Sequence, residues 1–140
     1  MRIQQFKAIW LGAVALVMSA SFVPTAVADS LPDENQCKKN KPTETVTAGW
    51  CAAIIRQKGN CLACHYVTTQ RPWPETLAPG GNIAPPLVSM KTRFPDKAKL
   101  RAQIWDSTQA NPQSSMPPFG KHGLLSESEI DAIVEWLQTI

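Results

Sequence analysis

The chain has 140 residues, of which 44% are hydrophobic and 18% charged. That length suits a single domain, and the balance of apolar to charged residues excludes disorder throughout. The formal net charge of +3 falls to about +1 once Arg2 and Lys7 are set aside as part of a leader, leaving 12 basic against 11 acidic residues. So even a balance excludes a general nucleic-acid binder, which needs a strong basic bias.

The N-terminus reads as a secretory signal peptide over residues 1–28. Arg2 and Lys7 make a positive start, and Ile9 to Ala20 is an apolar stretch too short to span a bilayer comfortably. Ala26-Val27-Ala28 then offers an A-x-A cleavage site after Ala28. An uncleaved membrane anchor is the competing reading, and the short apolar stretch argues against it. Cleavage predicts a periplasmic protein with no stable membrane insertion, in an oxidising compartment.

Residues 29–46 are polar, hold Pro32 and Pro42, and read as an extended arm that Cys37 could pin. A first helix is predicted from about Thr47 to Lys58, with Trp50, Ile54 and Ile55 on one face and Gly59-Asn60 as its stop. Residues 71–86 carry five prolines and two adjacent glycines, so they form an ordered loop and not a helix or central strand. A middle helix is predicted from Asp96 to Ser107, with Leu100 and Ile104 one turn apart. Residues 109–123 are again loop. The last helix has the clearest signal. Ser126 and Glu129 form a capping box, and Ile130, Ile133, Val134 and Leu137 recur at helical spacing. No strand pattern and no internal repeat is present.

Cys61-Leu62-Ala63-Cys64-His65 is the C-x-x-C-H motif of covalent haem attachment. Two thiols at this spacing add across the two haem vinyl groups, and the adjacent histidine reaches the iron. A zinc half-site would need a second pair of ligands, which is missing. A thioredoxin-like redox pair would need a strand-helix-strand setting, which is also missing. The motif therefore predicts one haem c, joined through Cys61 and Cys64 and ligated by His65.

Candidates for the sixth iron ligand are Met90, Met116 and His122. Met116 lies in Ser114-Ser115-Met116-Pro117-Pro118-Phe119-Gly120, where the prolines stiffen a loop able to hold a thioether in place. A methionine opposite a histidine fills the coordination sphere and raises the potential, which suits electron transfer. Met90 reads better as a core residue, and His122 would give bis-histidine ligation at a lower potential. The His65 ring needs a hydrogen-bond partner to fix its plane. The carbonyl of Pro85, in Ala84-Pro85-Pro86-Leu87, is the choice here.

Cys37 and Cys51 remain. In an oxidising compartment a disulfide is the default, tying the arm to the first helix; free thiols or a bond to a partner are the alternatives. Lys91, Arg93, Lys97, Lys99 and Arg101 cluster along the chain. The bland reading is a solvated helix face, and the sharper one is a docking patch for an acidic redox partner. Trp50, Trp73, Trp105 and Trp136 read as core and haem-pocket packing.

Taken together, Gly59-Asn60-Cys61-Leu62-Ala63-Cys64-His65, Gly81-Asn82-Ile83-Ala84-Pro85-Pro86-Leu87, Asn111-Pro112, Ser115-Met116-Pro117-Pro118-Phe119-Gly120 and the closing helix resemble the SoxX family, the small cytochrome subunits of SoxAX complexes. The C-x-x-C-H motif alone is generic; its combination with S-M-P-P-F-G is more specific. Ala84 stands where a glycine is expected before the proline pair. The resemblance implies an all-α, class I cytochrome c fold over residues 47–140, with three to four helices around one haem ligated by His65 and Met116. It implies a heterodimer with a SoxA-like mono- or dihaem subunit that carries the active-site cysteine. Such a complex is an L-cysteine S-thiosulfotransferase, which joins thiosulfate to a cysteine of a SoxYZ-like carrier. The small subunit takes up the released electrons and passes them to a small cytochrome c. Apart from this resemblance, the haem site fits equally a freestanding periplasmic electron carrier. A haem-based ligand sensor would need a labile sixth position.

Overall fold

The computed structural model describes residues 30–140. The expected signal peptide and its cleavage site lie outside the described residues. Five helices form: α1 (Glu34–Lys39), α2 (Thr45–Ile54), α3 (Met90–Arg93), α4 (Lys97–Trp105) and α5 (Glu127–Leu137). Two 3-10 turns, Cys61–Ala63 and Ser107–Gln109, complete the regular structure. Among the described residues there is no strand; a single parallel bridge joins Val67 and Leu87. This is the all-α cytochrome c architecture, with one or two helices more than the sequence suggested.

The core is the crossing of α2 and α5. Both helices have a first turn set by a carboxylate or hydroxyl. Glu44 accepts from the backbone N–H groups of Val46 and Thr47, and Ser126 and Glu129 satisfy each other's backbone donors in a capping box. Trp50, Ala53, Ile130, Ile133 and Trp136 are buried where the helices meet. Gly49 makes the approach possible, because a Cβ there would lie 1.9 Å from the carbonyl oxygen of Ala132. Lys58 and Glu129 form an ion pair that joins the turn after α2 to the start of α5.

Helix α2 differs from the expected span of 47–58 at both ends. The Glu44 cap starts it two residues early. It stops at Ile54 because Ile55 is extended and the chain folds back, so that the Gly59 N–H donates to the Ala52 carbonyl at 3.0 Å. Gly59-Asn60 thus closes a turn that follows the helix. Asn60 adopts the left-handed conformation (φ 46°) that its side chain tolerates better than most. Helix α4 is shorter than predicted by one residue at its start, where Asp96 is the cap, and by two at its end. The four-residue α3 was not expected.

The N-terminal segment departs most from expectation. It is not an extended arm. Asp33 and Gln36 cap each other's backbone and start α1. Leu31 is buried, and the Trp50 indole N–H donates to the Pro32 carbonyl at 2.7 Å. Trp50 also packs edge-on against Trp73 and Trp136, with ring centroids 5.3 and 5.4 Å apart. A disulfide joins Cys37 on α1 to Cys51 on α2, with their Cα atoms 5.3 Å apart. Residues 30–46 are therefore part of the domain and cover one side of its core.

Two outcomes follow for stability. Gly49→Ala forces a methyl group into the Ala132 carbonyl, so the holoprotein is expected to lose about 3 kcal/mol, read as a lower urea midpoint; an unchanged midpoint would refute the crossing described. Replacing Cys37 and Cys51 by serine opens a closure across a separation of 14 residues. The expected cost is about 3 kcal/mol in the chain-entropy model, and the parent protein should lose a similar amount on reduction.

Candidate haem site

The Cys61–Ala63 turn puts the motif residues on one short corner. The Cys64 and His65 backbone N–H groups both donate to the Cys61 carbonyl, at 3.2 and 2.9 Å. Cys61 is half-buried, Cys64 is exposed, and both are free thiols. Desolvation pushes the Cys61 thiol up to about 12. It stays protonated at neutral pH. Among the described residues no group of three or more His, Cys, Asp or Glu side chains could hold a metal ion, which leaves the zinc half-site without the ligands it needs.

The proline-rich loop runs directly along this corner. Four backbone hydrogen bonds stitch the two together. Val67 donates to Pro79, Gly81 to Leu62, Ala84 to Cys64 and Leu87 to Tyr66, at 2.8–3.2 Å. Gly80 lies in the left-handed region (φ 110°), and a Cβ there would meet the His65 carbonyl oxygen at 2.0 Å, so any other residue would push the loop off the motif. The loop ends by placing the Pro85 carbonyl 2.7 Å from His65 Nδ1. A carbonyl only accepts, so Nδ1 carries the proton and Nε2 keeps its lone pair for a metal. Ala84, in place of glycine, does not disturb this contact.

Met116 is held from a different corner. It is half-buried and packs against the core. Its backbone N–H donates to Ser114 Oγ at 3.2 Å, and its carbonyl accepts from Ser107 Oγ at 2.7 Å. The other two candidate ligands sit elsewhere. Met90 opens α3, is buried in the core, and its sulfur accepts from Arg93 at 3.7 Å. His122 is exposed in the turn after Phe119.

Sequence reading missed Asp106 and Ser107, which were placed inside the middle helix. Asp106 ends α4. Its buried carboxylate accepts from the Thr108 backbone N–H at 3.1 Å and from Lys121 Nζ at 2.8 Å. The Asp-Ser-Thr run was the available signal, since an aspartate followed two residues later by its own backbone partner marks a turn.

Two free thiols one turn apart, an imidazole with its distal nitrogen open, and half-buried Leu62 and Leu87 beside them form a donor set and an apolar bed that fit haem c. The fold and this site define a c-type cytochrome, a haem-binding electron-transfer protein. Residues 51–137 match the family described as cytochrome c oxidase, cbb3-type, subunit III, and the chain belongs to that family of cytochrome domains. It is also similar to an uncharacterized lipoprotein of Aquifex aeolicus (strain VF5), with 37% identity over 81 residues. That match takes in 58% of this chain and 36% of the relative, so the chain spans about a third of that protein's length. No described helix is long and apolar enough to cross a membrane.

Asp106 gives the site an acid limit. The Lys121 ammonium, then the Thr108 hydroxyl, hold its carboxyl down to about 2, below the ordinary 3.8. A carboxyl depressed in the folded state stabilises the fold above its unfolded pKa, and that stability is lost as pH falls through the folded value. The contribution should be complete above about pH 4 and fade towards pH 2. Asp106→Asn is expected to flatten this part of the stability profile, measured by thermal unfolding at successive pH values; a profile parallel to the parent's would refute the assignment.

Proposed function

We propose that this chain is the exported mono-haem small subunit of a SoxAX-type L-cysteine S-thiosulfotransferase. Cys61 and Cys64 form the thioethers, and His65 and Met116 are the iron ligands. The haem, when bound, supplies one-electron redox chemistry. The reaction served couples a carrier cysteine thiol with thiosulfate to give a cysteine S-thiosulfonate, one proton and two electrons. A chain with one haem carries these electrons singly and is therefore used twice per thiosulfate. The nucleophilic cysteine belongs to the larger partner, since Cys37 and Cys51 are bonded to each other and the other two cysteines belong to the haem motif.

The observation that carries this reading is the lack of charged residues in the segments that carry the site. Residues 59–70, 76–90 and 107–120, which supply every candidate ligand except His122, contain no Asp, Glu, Lys or Arg, in a chain with 25 of them. Ile83 is 80% exposed and Tyr66 43% exposed, each close in sequence to a residue of the stitched corner. A carrier that must leave each partner quickly is better served by a polar rim, whereas an uncharged rim with exposed large apolar groups suits a partner that stays. The basic cluster adds little to docking. Lys97 pairs with Glu135, and Arg101 with Glu127 and Asp131, all on α5. Arg93 donates to the Pro86 carbonyl at 2.7 Å. Among the described residues, Lys91 and Lys99 alone of the five show neither an ion pair nor a side-chain hydrogen bond.

The test is purification from cells grown on thiosulfate. A larger haem-staining partner should accompany this chain, and thiosulfate should reduce the haem only when that partner and the carrier are both present. Association should change by less than about threefold between about 50 and about 500 mM salt, and Ile83→Asp should weaken it about tenfold. Recovery as a monomer would favour the freestanding carrier. Rapid reduction by thiosulfate of this chain alone would contradict the division of labour.

A further inference from the structure

We propose that Ser107 is a positioning residue for Met116, fixing through one buried hydrogen bond where the methionine sulfur stands relative to the iron. The inference rests on the reading of Met116 as a ligand. Ser107 and Asp106 are the only buried polar or charged residues among those described, and Ser107 is fully buried. A buried hydroxyl is costly unless bonded, and this one spends its donor on the Met116 carbonyl at 2.7 Å.

The rest of the corner makes that bond a fixed point. Asp106 holds the turn that Ser107 opens, through the Thr108 backbone N–H, and ties Lys121 to the same place. The Gly120 and Lys121 backbone N–H groups donate to the Trp105 carbonyl at 3.1 and 3.2 Å. The loop is therefore pinned beyond Met116 at Gly120 and Lys121, and before it where the Asn111 N–H donates to the Ser107 carbonyl at 3.1 Å. Ser107 supplies the pin between. Pro117 follows directly and confines Met116 to extended backbone angles. With the backbone so restricted, the direction of the Met116 carbonyl and the direction of its Cα–Cβ bond are coupled. Holding the carbonyl sets where the thioether can reach. Without the bond the loop keeps its ends but Met116 can rock between them.

The test uses the haem-loaded protein and added imidazole, which competes for the sixth position of the oxidised iron. Ser107→Ala should raise the apparent imidazole affinity about tenfold, the scale of one lost buried hydrogen bond, and weaken the methionine-to-iron charge-transfer band. Ser107→Thr, which keeps the hydroxyl, should stay within about twofold of the parent. Lys97→Ala, which removes an ion pair on α4 away from the loop, should leave both readouts unchanged. Unaltered band and affinity in Ser107→Ala would overturn the proposal. So would an equal tenfold gain when Ser107→Ala is added to Met116→Ala, since the serine would then act without the methionine. Met116→Ala alone reports on the ligand assignment. A band that survives it removes that assignment, and the proposal with it, whatever Ser107 does.

Discussion

The site depends on one backbone contact, the pairing of the 79–87 loop with the turn that carries Cys61, Cys64 and His65. The motif corner has a single 3-10 turn of regular structure, too short to hold itself. Its unpaired carbonyls are taken by N–H groups of the loop, and the loop's last act is to present the Pro85 carbonyl to the His65 ring. Loop and motif therefore fix one another. Prolines suit this role because they stiffen the strip between the bonded residues while leaving their own carbonyls free to accept. Glycine is required where the two backbones come closest, at Gly80.

The segment around Met116 is built on another plan. The Met116 loop has no neighbouring strip to pair with, and is fastened to the end of α4 through Trp105, Asp106 and Ser107. Helix α4 is in turn joined to α5 by Lys97 and Arg101 reaching acidic residues on α5, and α5 crosses α2, which leads into the motif. The two halves thus communicate through the helix crossing at Gly49. Exposed ion pairs contribute little individually, so the crossing and the buried corner carry most of this connection.

Legibility in the sequence followed the range of the interactions. The haem turn and α5 were readable because their determinants lie within four residues. A capping box and an apolar stripe need no knowledge of the rest of the chain. Helix α1 has a similar local cap in Asp33 and Gln36, but it reads as an arm because its six residues, five of them polar, show no apolar period. The ends of α2 and α4 were off by one to four residues because caps at Glu44, Asp96 and Asp106, and the return of Gly59 onto Ala52, compete with the apolar pattern. The basic cluster looked like a surface feature along the chain, and the acidic side chains that pair with two of its five members lie some 26 to 38 residues away.

The sequence by itself determined that haem c is the group this chain is built to hold, because the attachment motif occupies five consecutive residues, Cys61 to His65. It also determined the clearest helix and the absence of a sheet. The tertiary structure alone decided that residues 30–46 pack over one side of the core, that Lys97 and Arg101 pair with acidic residues of α5, and that a buried serine holds the methionine loop. Those outcomes rest on contacts between residues 9 to 38 positions apart, and local spacing carries no record of which distant group will close them.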